Sequence, residues 1–190
     1  MTRPMVTLRP PAEDIARILL DEPTIAAKVA ELGTRIAGDY AGRDLVLVSI
    51  LKGALPFLAD LMRRIPLPLS LDFLEVSSYG ISTESSGVVR ILKDLAHPIE
   101  GRDVLVVEDV LDTGFTLNYV LEHLRGQHPS SLKLCTLLDK PARRIIPIAV
   151  DYRGFEIPDE FVVGYGLDYA ERYRNLPYIG VLRPEVYRSG

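Results

Sequence analysis

Two adjacent acids, Glu108 and Asp109, follow the apolar run Val104-Leu105-Val106-Val107. A third, Asp112, opens the small polar turn Asp112-Thr113-Gly114-Phe115-Thr116. Those residue types at that spacing define a chemistry. A turn that opens a helix leaves backbone N–H groups without intrahelical partners, and the helix dipole adds partial positive charge there, so the turn can cradle a phosphate. Gly114 lets the backbone approach an anion with no Cβ in the way, and Thr113 and Thr116 add hydroxyl donors. Glu108 and Asp109 are acceptors suited to sugar hydroxyls or to a hard cation. A phosphate cradle beside a hydroxyl or metal clamp is what a ribose 5-phosphate requires.

Three other readings compete for the same residues. Asp112 could be the N-cap of the following helix, with Glu108 and Asp109 at a solvated strand end. An apolar strand ending in acids also resembles the magnesium-binding strand of a P-loop nucleotidase. That reading needs a glycine-rich loop ending in Lys-Ser/Thr. Gly33 and Gly38 have the glycine spacing, but Asp39-Tyr40 follows, which excludes it. Asp112-Thr113-Gly114 also fits one half of an aspartic-protease site, which needs two such aspartates sharing a proton.

The elements that must position these groups follow from periodicity. A first helix is expected from Pro11 toward Leu20. A second follows Asp21-Glu22-Pro23-Thr24, with Ile25, Val29, Leu32 and Ile36 at helical spacing, and ends near Gly38. Leu45–Leu51, Leu69–Val76, Asp103–Val107 and Leu132–Leu138 read as strands, the first and third as buried on both faces. Ala54–Arg64 and Leu117–Arg125 read as helices, with Glu108–Thr116 as the turn before the latter. Ser77–Lys93 is polar, with glycines at 80 and 87, and reads as a long loop or loose hairpin. Shorter strands are expected at Ala149–Tyr152, Phe161–Gly164 and Tyr178–Leu182. Apolar strands alternating with helices predict a mostly parallel α/β sheet, whose ligands bind beyond the carboxyl ends of the strands. The turns after Leu51, Val107 and Leu138 are therefore the places to search.

Composition narrows the class. The chain has 190 residues, 47% hydrophobic and 25% charged, which suits one folded domain. A net charge of −4 excludes a broadly basic nucleic-acid-binding face, although Lys140, Arg143 and Arg144 cluster locally. The single cysteine, Cys135, lies in an apolar strand and reads as a core residue. The first eleven residues carry three prolines and no apolar run, unlike a signal peptide, and no segment is apolar for the roughly 18 residues of a membrane span. A cytoplasmic protein is the resulting expectation.

The full segment Val104–Thr116 resembles the phosphoribosyl-pyrophosphate-binding motif of type I phosphoribosyltransferases. The rest of the chain is similar in order. Leu51-Lys52-Gly53-Ala54 resembles the family's pyrophosphate loop, and Ser77-Ser78-Tyr79-Gly80 the start of its mobile catalytic loop. Gly154–Tyr169 resembles the purine-binding segment of the hypoxanthine-guanine members. Lys140 matches their base-contacting lysine. The resemblance spans roughly residues 25–182.

That resemblance implies a type I phosphoribosyltransferase fold: a mostly parallel central sheet flanked by helices, in one domain, with a small hood built from the N- and C-terminal segments. It implies transfer of phosphoribosyl from phosphoribosyl pyrophosphate to N9 of hypoxanthine or guanine. Asp112, Thr113, Gly114, Phe115 and Thr116 would bind the 5-phosphate, with Asp112 also the acid/base group at purine N7. Glu108 and Asp109 would hold the ribose hydroxyls, directly or through Mg2+. Lys52, Gly53 and Arg174 would contact the pyrophosphate, and the Leu51–Lys52 peptide would be cis. Lys140 would donate to purine O6, Phe161 would stack on the base, and the Val162 backbone would contact its edge. Asp168 would contact the purine and bind Mg2+ on the pyrophosphate side. Ser78 and Tyr79 would belong to the mobile loop. A homodimer or homotetramer is implied, with no nucleic-acid or membrane partner. Phe115 departs from relatives that carry a polar or basic residue there. A nucleic-acid-binding regulator on the same fold and an enzyme for another base are the rivals. The first lacks a basic face, and Lys140, Phe161 and Asp168 favour a 6-oxopurine over the second.

Overall fold

The computed structural model describes residues 11–78 and 89–187. After a 3-10 turn at Pro11–Asp14, the elements in chain order are β1 (Ile15–Leu20), α1 (Glu22–Asp39), β2 (Leu45–Leu51), α2 (Leu55–Met62), β3 (Leu69–Ser78), β4 (Val89–Lys93) and β5 (Asp103–Leu111). There follow α3 (Phe115–Arg125), β6 (Ser131–Asp139), a 3-10 turn at Pro141–Arg143, β7 (Tyr152–Glu156), β8 (Val162–Val163), β9 (Ile179–Leu182) and the single turn α4 (Pro184–Tyr187).

Among the described residues the strands form two sheets. The larger runs β4-β3-β2-β5-β6-β7, parallel except for β4, which turns back antiparallel on β3. β2 and β5 sit at its centre and alternate their apolar side chains between two cores. Leu45, Leu47, Leu105 and Val107 face one side, where Ile25, Val29, Leu32 and Ile36 of α1 and Phe57, Leu58 and Leu61 of α2 cover them. Val46, Val48, Val104 and Val106 face the other, under Leu117, Val120, Leu121 and Leu124 of α3. Strands covered on both faces are nearly continuous apolar runs for this reason. Cys135 is buried in the α1/α2 core, where burial pushes its thiol well above its ordinary range.

α1 starts where the periodicity placed it. Asp21 accepts from Thr24 N at 2.9 Å, and Pro23 stands in the first turn. The expected first helix is absent. Ile15–Leu20 is instead β1, paired antiparallel with β9 (Ile18 opposite Gly180), and β8 completes a second sheet of order β1-β9-β8. Ile15, Ile18 and Leu19 stand at helical rather than strand spacing, and a partner at the far end of the chain overrides that local pattern. Asp14 anchors this end: its buried carboxylate accepts from the Tyr173 hydroxyl at 2.6 Å and pairs with Arg172 at 3.3 Å.

Other boundaries shift. β5 runs on through Glu108 and Asp109 to Leu111, because Glu108, Val110 and Leu111 pair with Thr136, Leu138 and Asp139 of β6. The acids thus lie on a strand rather than in a turn. α3 begins at Phe115, two residues earlier than expected. Lys93 falls in β4, the returning arm of a hairpin, and the strand expected at Ala149–Tyr152 is Tyr152–Glu156.

Candidate active site

The loops after β2, β5 and β6 leave the same end of the parallel sheet and converge there. The β5 loop comes first. Leu111 ends the strand and Gly114, at φ 93°, is the N-cap of α3, with no side chain capping the helix. The first-turn N–H groups are therefore open to an anion. Glu108, Asp112, Thr113, Gly114 and Thr116 line a cavity of about 250 Å3 at this point. Phe115 is exposed on the first turn of α3.

Asp112 is not the cap, which removes that rival reading. Its Oδ1 accepts from Arg143 Nε at 2.9 Å, and Arg144 Nε donates to its backbone carbonyl at 3.0 Å. The segment after β6 thus buttresses the loop between β5 and α3: Ile145 N and Ile146 N both donate to Thr113 O at 3.0 Å. Arg144 is held in turn by the buried carboxylate of Asp139. The basic cluster at 140–144 was visible in the sequence, but its use as a brace was not. A lone Arg143 or Arg144 reads as a surface cation until β6 brings it across β5.

Glu108 and Asp109 join two loops. Glu108 lines the cavity at the N-terminus of α3. Asp109 lies against the β2 loop so closely that a Cβ at Gly53 would overlap its carboxylate. Both acids are held protonated more readily than in water. Burial, then the neighbouring Asp109 charge, pushes Glu108 well up, and burial pushes Asp109 up to about 6 against opposing hydrogen bonds and the Arg174 charge. Glu108 Oε2 is buried with no hydrogen-bond partner. Two adjacent carboxylates, one with an orphaned oxygen, form a donor set suited to a hard divalent cation.

The β2 loop contains the cis peptide expected at Leu51–Lys52. Lys52 Nζ reaches Glu171 Oε2 at 3.3 Å, and Arg174 Nη2 reaches Glu171 Oε1 at 3.3 Å. The two cations expected to hold pyrophosphate therefore flank a single carboxylate. Arg174 also pairs with Asp168 at 2.8 Å. Asp168 does not join Glu108 and Asp109 in one ligand set, since no group of three metal-ligating side chains is gathered among the described residues.

Lys140 is buried at the end of β6, its N–H donating to Leu111 O and its Nζ to Glu160 O at 2.7 Å. Burial lowers its pKa, with Asp112 and Asp159 pulling the other way. Phe161 is 39% exposed, stacked on Tyr187 at 4.8 Å and edge-on to Tyr169 at 5.6 Å, and Val162 is buried beside it on β8. Ser78 ends β3, and Tyr79 lies outside the described residues.

The model of the phosphoribosyl transferase domain matches residues 16–170. The chain belongs to the phosphoribosyl transferase family. Among its relatives, the hypoxanthine-guanine phosphoribosyltransferase of Bacillus subtilis (strain 168) is 54% identical over 176 residues, covering 93% of this chain and 98% of that protein. The bifunctional protein TilS/HprT of Listeria innocua is 54% identical over 174 residues, and the match spans 27% of that longer protein. The crystal structure of a hypoxanthine phosphoribosyltransferase from Staphylococcus aureus superposes with a TM-score of 0.90 at 53% identity, over 93% of this chain and 96% of that one. The phosphoribosyl transferase fold, with its parallel sheet and flanking helices, is thus shared across nearly the whole chain. No helix among the described residues is long and apolar enough to cross a membrane.

Proposed function

We propose that the chain transfers the phosphoribosyl group of phosphoribosyl pyrophosphate to N9 of hypoxanthine or guanine in purine salvage. The observation that carries this reading is the junction at the end of β5. There an open helix N-terminus, the half-buried Glu108, the buried Asp109 and the Lys52–Gly53 loop meet, with Lys140 a hydrogen bond away just past β6. The relatives named for this activity support it.

In the reaction, N9 forms a bond to ribose C1 as the C1–oxygen bond to pyrophosphate breaks, and the N7 proton is managed at Asp112. The α3 N-terminus holds the 5-phosphate. Lys52 and Arg174 take the pyrophosphate oxygens in place of Glu171, which lowers the charge on the leaving group. Glu108 and Asp109 would hold one Mg2+ and Asp168, beside Arg174, would hold Mg2+ separately on the pyrophosphate side, where the ion would supply further neutralisation of the leaving group. Lys140 donates to O6. Adenine carries an amino group there, which an ammonium cannot satisfy, so a 6-oxopurine is selected. Phe161 and Val162 bound the base site, and the sheet β1-β9-β8 acts as a hood on a single domain. The enzyme is expected to work as a cytoplasmic homodimer or homotetramer.

An ultraviolet assay of nucleotide formation, offering hypoxanthine, guanine, xanthine and adenine with phosphoribosyl pyrophosphate and magnesium, tests the proposal. Turnover of 6-oxopurines without adenine is expected. Absence of turnover with every base, in folded protein, would overturn it.

A further inference from the structure

We propose that Asp60 on α2 is a positioning residue for the pyrophosphate side of the site, acting through the hydroxyl of Tyr165. The inference rests on the reading of Lys52-Gly53 and Arg174 as pyrophosphate contacts and adds what sets the distance between them.

Three consecutive residues, Gly164, Tyr165 and Gly166, adopt left-handed backbone with φ of 99°, 49° and 100°. Two glycines do so freely, but a tyrosine between them is uncommon and needs to be held. Its N–H donates to Leu176 O at 2.9 Å, its ring is buried, and its hydroxyl donates to Asp60 Oδ2 at 2.7 Å across 105 residues of sequence. The turn also carries the second cation: Gly166 N donates to Arg174 O at 3.0 Å, and Arg174 Nη1 donates back to Gly166 O at 2.9 Å.

The turn rests on the pyrophosphate loop itself. A Cβ at Gly166 would overlap the carbonyl of Gly53 and press on Pro56 at the start of α2. Loop and helix are one piece, because Leu55 N donates to Lys52 O at 3.2 Å and Leu58 N to Ala54 O at 2.9 Å. The 164–166 turn therefore touches this piece twice, at Gly53 through backbone packing and at Asp60 through the tyrosine hydroxyl. One contact alone leaves the turn free to pivot. The pair fixes its angle, and with it the spacing of Arg174 from Lys52, which in this structure meet on the same Glu171 carboxylate. Asp60 itself is set by Arg63 one turn on, and both line a cavity of about 300 Å3 between α1 and α2. The strut therefore lies away from the reacting atoms.

Steady-state kinetics on Tyr165→Phe, Asp60→Ala and their double variant test this, with melting temperatures and calorimetric binding of magnesium pyrophosphate. Each single variant should raise KM for phosphoribosyl pyrophosphate about tenfold, the worth of one hydrogen bond to a charged group. KM for hypoxanthine should stay within about twofold, and the double variant should be no worse than either single. Asp60→Asn, which keeps an acceptor, should recover most of the loss. An unchanged KM in Tyr165→Phe overturns the inference. So does an equal rise for both substrates that merely tracks lost stability. Wild-type protein that binds no pyrophosphate overturns the loop reading, and the inference with it.

Discussion

Asp112 stands one residue past β5 and two before the N-cap of α3, so its side chain belongs to neither element's hydrogen bonding. It is free to serve substrate, and Arg143 occupies it meanwhile. Asp112→Asn keeps the shape and the polarity but cannot take a proton. It should lower kcat about 100-fold, with much smaller effects on substrate KM, as for loss of a general acid or base. Stopped or initial-rate assays with saturating substrates check this, and an unchanged kcat would remove Asp112 from the chemistry. Lys140 makes a second residue-scale test. Buried, and already donating to a carbonyl, it is a committed donor. Lys140→Met should reduce kcat/KM for hypoxanthine about 100-fold by removing one charged hydrogen bond. Relative activity toward adenine should rise. Both residues were legible in the sequence only as members of an ordered pattern. Alone, one reads as a cap and the other as a surface lysine. Arg143 and Arg144 escaped because their partners, Asp112 and Asp139, are reached through strand pairing.

At the scale of elements, the decisive contact is between the loop after β2 and the end of β5. Gly53 is where that contact is closest, and any side chain there meets the Asp109 carboxylate. Gly53→Ala should leave a folded protein, since the two cores lie elsewhere on the sheet. Its activity should fall about 100-fold, the cost of displacing reacting groups by an ångström or so. Circular dichroism beside the activity assay separates the two, and a fully active variant would show that the loop can retreat from Asp109 without consequence. Strand β2 was legible to its last residue because six apolar residues, interrupted by Ser49 alone, are bounded by Asp44 before and Lys52-Gly53 after. β1 was misread because Ile15, Ile18 and Leu19 stand at helical spacing, and only the pairing with β9 makes the segment a strand. The strand end of β5 was placed short because acids at a strand terminus look like turn residues until a neighbour is seen to pair with them.

Across the whole molecule, three buried tyrosines tie distant parts together by donating to carboxylates. Tyr152 reaches Asp39 at the end of α1, Tyr165 reaches Asp60 on α2, and Tyr173 reaches Asp14 before β1. Burial, then the carboxylate each one meets, raises all three, Tyr173 to about 12 and the other two further. Burial raises Tyr40 as well. The sign follows from linkage. The unfolded chain gives up these protons near the ordinary value of 10.0 while the folded protein retains them, so the unfolded state binds fewer protons and stability falls as pH rises. Unfolding free energy from urea titrations should be level from about pH 8 to pH 9.5 and decline steadily above about pH 10. A level profile to pH 11 would show that the hydroxyls reach solvent.

The sequence by itself determined the parallel α/β class, four of the central strands, the helices that cover them and the place of the motif Val104–Thr116 at the end of one of those strands. Those properties are local: periodicity, strand-like apolar runs and a motif whose parts are contiguous. Only the tertiary structure decided that Ile15–Leu20 is a strand, that Glu108 and Asp109 bridge two loops, that Arg143 and Arg144 brace Asp112, and that Tyr165 is held from α2. Each of those depends on residues far apart in the chain coming within hydrogen-bond reach, and no local pattern records which distant partner a side chain will meet.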